Sequence, residues 1–234
     1  MPPAISFREA LAGAPGAHVA LIAEVKRRSP SKGVINAALS AADRAADYVR
    51  GGAAAISVLT EPERFGGSLH DLWEVGTRVR VPLLRKDFIT HRVQLLEARA
   101  VGASAVLLIV RALPPATLAR LAKEATELGL DVLAEIRDER ELEDALAIPG
   151  AVIGVNNRDL ETLIIEPEVG DRMIPLVPTG RVAVYESGIE HVAQVEHAAA
   201  IGADAVLVGS ILSRAGDGAA AAAALASVKR VGRG

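Results

Sequence analysis

The chain contains no cysteine among its 234 residues, which excludes a disulfide framework, a thiol nucleophile and any Cys-based zinc or iron–sulfur centre. Aromatic residues make up only 3%, too few to build the stacking platforms that single-stranded nucleic acid requires. There is no basic excess either. Lys+Arg 26 against Asp+Glu 29 gives a formal net charge of −3, which argues against a phosphate-backbone partner. The hydrophobic run Ala105–Val110 falls far short of the ~20 residues of a membrane-spanning helix. Residues Met1–Glu9 show no basic segment followed by an apolar core and a small-residue cleavage site. The reading is a cytoplasmic protein with no nucleic acid and no membrane partner. The histidines, His18, His70, His91, His191 and His197, lack ligand spacing, so no metal site is expected.

Half of the residues are hydrophobic and 24% are charged, the balance of a chain with a real core. Eight short apolar runs recur: Val19–Val25, Ala54–Leu59, Pro82–Leu84, Ala105–Val110, Val132–Ile136, Val152–Val155, Val182–Tyr185 and Ala205–Val208. Most are continuously apolar rather than alternating, as in strands of a parallel sheet buried on both faces. Helical stretches separate them, with capping candidates Ser40, Ser68, Thr90 and Asp138 near their starts. The resulting β-plus-α unit is about 26 residues long, and three helix-to-strand junctions, beginning at Gly52, Gly102 and Gly202, read nearly alike. A glycine just past a helix end is what a tight turn into a strand demands. The expected fold is α/β, a single (β/α)8 barrel. A short N-terminal segment would span 1–18, the barrel 19–213, and a C-terminal helix with a basic, fraying tail 214–234. A doubly wound open sheet is the structural alternative, but the Gly-rich turn of its dinucleotide-binding version is absent.

In such a barrel, chemistry belongs at the C-terminal strand ends. There the sequence places Glu24, Lys26, Lys86, Glu135, Asn156, Arg158 and Glu186. Any one of them alone is as well explained by a strand reaching solvent. Together, embedded in apolar stretches where an unpaired charge is costly, they point to mutual pairing or to function. Ser187-Gly188 and Gly209-Ser210 follow the seventh and eighth strands, where these barrels commonly bind phosphate through backbone N–H groups. The loops Arg27–Gly33 and Glu61–Ser68 are candidate lids.

Four segments carry a family resemblance: Ile22-Ala-Glu-Val-Lys-Arg-Arg-Ser-Pro-Ser-Lys-Gly33, Leu83-Leu-Arg-Lys-Asp-Phe-Ile89, Gly154-Val-Asn-Asn-Arg-Asp-Leu160 and Glu186-Ser-Gly-Ile189. They closely resemble indole-3-glycerol phosphate synthase, and the similarity runs from about Ser6 to Ser213. It implies a lyase of tryptophan biosynthesis. This enzyme closes the indole pyrrole ring of a phosphorylated small molecule, with loss of carbon dioxide and water, by general acid/base catalysis and without a cofactor. Carried over by motif, Lys86 is the general acid and Glu135 the principal partner in dehydration. Lys26 offsets substrate charge and shares acid duty, Glu24 and Glu186 hold the lysines and substrate polar groups, and Asn156 orients Glu135 or a hydroxyl. Arg158 lies against the anthranilate end. Ser29, Ser187, Gly188, Gly209 and Ser210 bind phosphate and its surroundings, while Pro30, Phe65, Phe88, Leu107 and Leu207 wall the substrate. A monomer or weak homodimer is expected.

Two departures stand out. The family usually carries some tens of residues before the first strand that help cover the active-site mouth; here Met1–His18 precede it, and of these Ser6-Phe-Arg-Glu-Ala-Leu11 resembles just the end of that extension. Tyr185 stands where a small residue is usual, so it would fill the barrel interior or alter its packing, with a hydroxyl in need of a partner. Two other readings stay open: a catalytically reduced barrel that binds a phosphorylated ligand, and a related phosphoribosyl isomerase. The isomerase works with a Cys/Asp pair that a cysteine-free chain lacks.

Overall fold

A computed structural model describes residues 5–13, 17–26, 28–29, 33–34 and 40–233, with backbone alone for 29, 33 and 34. Eight parallel strands close on themselves: β1 (Ala20–Val25), β2 (Ala55–Leu59), β3 (Leu83–Lys86), β4 (Ala105–Ile109), β5 (Asp131–Ile136), β6 (Val152–Asn156), β7 (Ala183–Glu186) and β8 (Ala205–Val208). Each pairs with its sequence neighbours and β8 returns to β1, with Ile22 opposite Leu207. The barrel is therefore closed, and the open-sheet alternative falls. The helices are α1 (Phe7–Ala12), α2 (Ala41–Arg50), α3 (Pro62–Phe65), α4 (Leu69–Arg78), α5 (Arg92–Ala100), α6 (Pro115–Glu127), α7 (Glu139–Leu146), α8 (Pro167–Met173), α9 (Val192–Ala200), α10 (Ser210–Arg214) and α11 (Gly218–Ala226).

Local chemistry explains the boundaries. Ser40, Ser68 and Asp138 each accept a backbone N–H three residues on, satisfying donors at the starts of α2, α4 and α7. At α5 the cap is His91 rather than Thr90. There Gln94 Oε1 reaches back to accept from the N–H groups of both Thr90 and His91, at 2.9 and 3.0 Å. The three repeated glycines, Gly52, Gly102 and Gly202, all take positive φ, between 92° and 97°, the left-handed turn that ends a helix and feeds the next strand.

Strand alternation sorts the core into two. Outward residues such as Ala23, Val106, Ala134, Val155, Tyr185 and Val206 pack under the helices. Inward residues Ile22, Ala55, Leu84, Ala105, Leu107, Leu133, Val152, Val184, Ala205 and Leu207 fill the barrel. Tyr185 thus points away from the interior. Its ring lies over Gly170 of α8, where a Cβ would strike it, and its hydroxyl interacts with the Asn157 side chain.

Helix α1 and the described part of the tail both bind the N-terminal face of the barrel. Phe7 and Leu11 of α1 are fully buried with the inward residues, and Ser6 Oγ and Arg8 N–H both donate to Asp131 Oδ2 at the start of β5 (3.1 and 3.0 Å). The segment resembling the end of the family's extension therefore plugs the floor, opposite the mouth. The basic tail, expected to fray, is bonded to the barrel through Arg230 and Arg233. Arg233 donates to the carbonyls of Gly202 and Arg181, and Arg230 and Arg233 both pair with buried Asp204.

Candidate active site

The inward rows end, at the C-terminal face, in the charged residues singled out above. Glu24 continues the row of Ile22, Lys86 that of Leu84, Glu135 that of Leu133, and Asn156 that of Gly154; Glu186 follows Val184. Lys86 and Arg85 both belong to β3, which runs two residues past the end of the apolar run at Leu84. Alternation separates their tasks. Lys86 faces the cleft, while buried Arg85 turns outward to Asp87 (2.9 Å), Glu97 (3.1 Å) and the Gln94 carbonyl (2.6 Å), fixing the strand exit.

Lys86 Nζ donates to Glu186 Oε2 at 2.9 Å and lies 3.8 Å from Glu24 Oε2. Lys26 Nζ donates to Glu24 Oε1 at 2.7 Å. Two small residues make room for these carboxylates. A Cβ on Gly154 would run into Glu186 Oε1, and one on Gly209 into Glu24 Oε1. Glu186 Oε1 is buried with no hydrogen-bond partner among the described residues, in the space that Gly154 leaves. In the strand register Gly154 also stands beside Glu135.

The electrostatics follow from this crowding. Burial pushes the Glu135 carboxyl up, the charge of Glu186 adds to it, and Lys86 and a hydrogen bond from Asn156 only partly oppose them, leaving it at about 7. Burial works against the charge of Lys86, but Glu186, Glu24 and Glu135 outweigh it and hold the ammonium above its ordinary value. Burial also raises Glu24, and here Lys26 and Lys86 prevail, so it stays below the usual carboxylate range. The site thus sets a fixed cation and a fixed anion beside a carboxyl that exchanges its proton near neutrality.

Around this charged floor lie two contiguous clefts. One has an apolar wall of Leu59, Phe65, Phe88, Leu107, Ile109 and Leu160, with Glu24, Lys26, Lys86, Glu135, Asn156, Arg158 and Ser187 opposite. The other is polar, bounded by Ser187, Gly188, Gly209, Ser210 and Leu207, with Lys26, Lys86 and Arg158 on the shared side. Ser187 sits at φ +67°, uncommon for a residue with a side chain, and its hydroxyl donates to Asn156 Oδ1 at 2.8 Å. Asn157, fully buried, bonds the carbonyls of Glu186 and Ser187 at 2.9 and 3.1 Å and so fixes that turn. Every expected site residue described beyond its backbone lines one of the clefts, except Glu186, which lies beneath them against Lys86. Pro30 and most of the loop 27–33 lie outside the described residues, and the Ser29 side chain with them. The other expected lid, Glu61–Ser68, holds α3, capped by Glu61, whose carboxylate accepts from the N–H groups of residues 63, 64 and 65.

Sequence reasoning passed over Leu160 and Ile165, which reach the clefts from the loop after β6. The signal was present: four apolar residues, Leu160, Leu163, Ile164 and Ile165, in an otherwise polar loop.

A closed parallel barrel with a lysine–carboxylate cluster at its C-terminal mouth and a Gly/Ser-lined polar cleft after β7 and β8 defines an acid/base enzyme of the (β/α)8 class. The solved thiamine phosphate pyrophosphorylase from Pyrococcus furiosus shares this fold, with a TM-score of 0.65 at 18% identity over 88% of this chain and 93% of its own. The sequence pattern of one family, indole-3-glycerol phosphate synthase, matches residues 1–225, and this chain belongs to that family. Proteins bearing that name from Nocardioides sp. and Opitutus terrae are 53% and 47% identical over 84% and 92% of this chain, and 76% and 82% of their own lengths. One from Streptomyces coelicolor is 49% identical over 88% of this chain and 76% of its own.

Proposed function

We propose that the chain converts 1-(2-carboxyphenylamino)-1-deoxyribulose 5-phosphate to indole-3-glycerol phosphate, carbon dioxide and water. The observation that carries the reading is the Lys86 ammonium held between Glu186 and Glu24 at the boundary between an apolar wall and a Gly/Ser-lined cleft. An aromatic acid tethered to a sugar phosphate has that same division.

In this reading the phosphate enters the polar cleft among Ser187, Gly188, Gly209 and Ser210, and the aromatic ring lies on Phe65, Phe88 and Leu107. Arg158 meets the ring carboxylate. Lys86, always charged at neutral pH, gives its proton to the ribulose carbonyl oxygen as the ring carbon attacks. Carbon dioxide then leaves, and its bonding electrons restore the aromatic ring. Glu135, protonated in a good share of molecules at neutral pH, supplies the proton with which the new hydroxyl departs as water. Glu24 is suited to receive the proton that the methylene carbon beside the nitrogen loses as the hydroxyl departs and the pyrrole double bond forms, because Lys26 and Lys86 keep it ionised. Asn156, bonded by Ser187, orients Glu135.

The test is product identity. Purified chain incubated with the substrate should yield one indole chromophore and one carbon dioxide per substrate consumed, with indole-3-glycerol phosphate identified by mass. A folded chain that binds the substrate without releasing carbon dioxide would refute the assignment.

A further inference from the structure

The loop after β6 carries three groups into the clefts: Arg158, Leu160 and Ile165. Its two legs meet in an antiparallel bridge between Arg158 and Ile165, so these two residues lie side by side above the site. The turn between them is demanding. Leu163 takes φ +62°, and the Asp159 carboxylate is committed to the N–H groups of Glu161 and Thr162, both at 2.8 Å. Arg158 Nη1 donates to the Leu163 carbonyl at 2.8 Å, so the pose of the guanidinium depends on the shape of the turn.

Asp159 and Glu166 flank the bridge, one on each leg, and a single side chain holds both. Arg137, just past the end of β5, donates from Nη1 to Asp159 Oδ2 and from Nη2 to Glu166 Oε2, each at 2.5 Å. Arg137 is itself fixed: its N–H donates to Glu141 Oε2 at 2.7 Å, and its side chain is only 9% exposed. Arg111 stands behind, bonded to Glu141 Oε1 at 2.7 Å and 4.0 Å from Asp159 Oδ2. A planar fork spans two carboxylates as a lysine point charge cannot.

We propose that Arg137 is a positioning residue that clamps both legs of the 158–166 loop and so sets Arg158 and Ile165 over the clefts. It touches no substrate. Through Arg158 it governs binding of the substrate's carboxylate end, and in that respect the inference rests on the function proposed above. The clamp itself stands on the geometry of the loop alone.

The test uses Arg137→Met, Arg137→Lys and Glu166→Gln in the full chain, with folding checked by circular dichroism. Arg137→Met should raise KM about tenfold, the loss expected when a charge-assisted contact forms in only a fraction of molecules, and change kcat by less than about threefold. Arg137→Lys, which keeps charge without the fork, should fall between wild type and Arg137→Met. Glu166→Gln, which loosens only the half-exposed arm, should shift KM less, in the same direction. In an Arg158→Met background, Arg137→Met should raise KM by less than about threefold, because the clamp has lost the group it places. An unchanged KM in Arg137→Met, or a full tenfold rise without Arg158, overturns the proposal. Hydrogen exchange provides a readout independent of turnover. The amides of Leu163 and Glu166, bonded to the carbonyls of Asp159 and Asn157, should exchange faster in Arg137→Met and in Arg137→Lys, and unchanged exchange in both overturns the clamp. If wild type fails to turn over the substrate, the proposed function falls while the exchange result still decides the clamp. If Arg137→Met does not fold, Arg137→Lys and Glu166→Gln carry the decision.

Discussion

Replacing Glu135 by Gln should make the protein more stable at alkaline pH while impairing its chemistry. In the folded chain the Glu135 carboxyl titrates at about 7, against an ordinary 4.5, because burial and the Glu186 charge disfavour its ionised form. Between these values the folded state keeps a proton that the unfolded chain has lost, so stability declines as pH rises from 4.5 through about 7 and levels off above it. At ~1.4 kcal/mol per pH unit, the full interval amounts to about 3 kcal/mol. Gln has nearly the shape of the neutral acid and cannot ionise. The two proteins should therefore be equally stable only below about pH 4, and Glu135→Gln should lead by roughly 1 kcal/mol near pH 5 and by about 3 kcal/mol near pH 8.5. Because Glu135 interacts with Glu186 and Lys86, the midpoint belongs to the cluster rather than to one residue. Urea unfolding followed by far-ultraviolet circular dichroism from pH 5 to 8.5 measures the difference directly. Parallel stability curves across that range would refute the reasoning.

The same titration bears on rate. If protonated Glu135 expels the hydroxyl, kcat should fall as pH rises through about 7, and this limb should vanish in whatever activity Glu135→Gln retains; a flat profile through neutrality counts against that role. Gly154→Ala should cost at least about tenfold in kcat, because its Cβ displaces the Glu186 carboxylate from Lys86, and Glu186→Asp, being shorter, should soften the effect; wild-type activity in Gly154→Ala would show that the carboxylate needs no such slot. At the floor, replacing Arg230 and Arg233 together by Ala strips buried Asp204 of both cations. This should destabilise the fold by on the order of 3 kcal/mol, with thermal unfolding as the assay and an unshifted midpoint as the contrary result.

The sequence carried what depends on local pattern. Continuous apolar runs marked the eight strands, and the glycines at 52, 102 and 202 marked the turns that adopt left-handed backbone. Glu24, Lys86, Glu135, Asn156 and Glu186 were legible as a set because each interrupts or ends a strand that must otherwise stay apolar. What remained hidden was contact between distant positions. The grip of Arg137 on Asp159 and Glu166 joins two loops 22 and 29 residues apart, and no local periodicity records it. The tail read as frayed because its arginines stand among glycine and valine, whereas their partner Asp204 lies more than twenty residues earlier, just before β8. The place of Tyr185, inside the barrel or in its packing, stayed open because its neighbour Gly170, which leaves room for the ring on the outer side, sits in another element.

The measurement that tests the central claim most directly is steady-state turnover of 1-(2-carboxyphenylamino)-1-deoxyribulose 5-phosphate by wild type beside Lys86→Ala, with circular dichroism of both. The account predicts indole formation by wild type and none above background by a folded Lys86→Ala. A folded Lys86→Ala that turns over at the wild-type rate would contradict it.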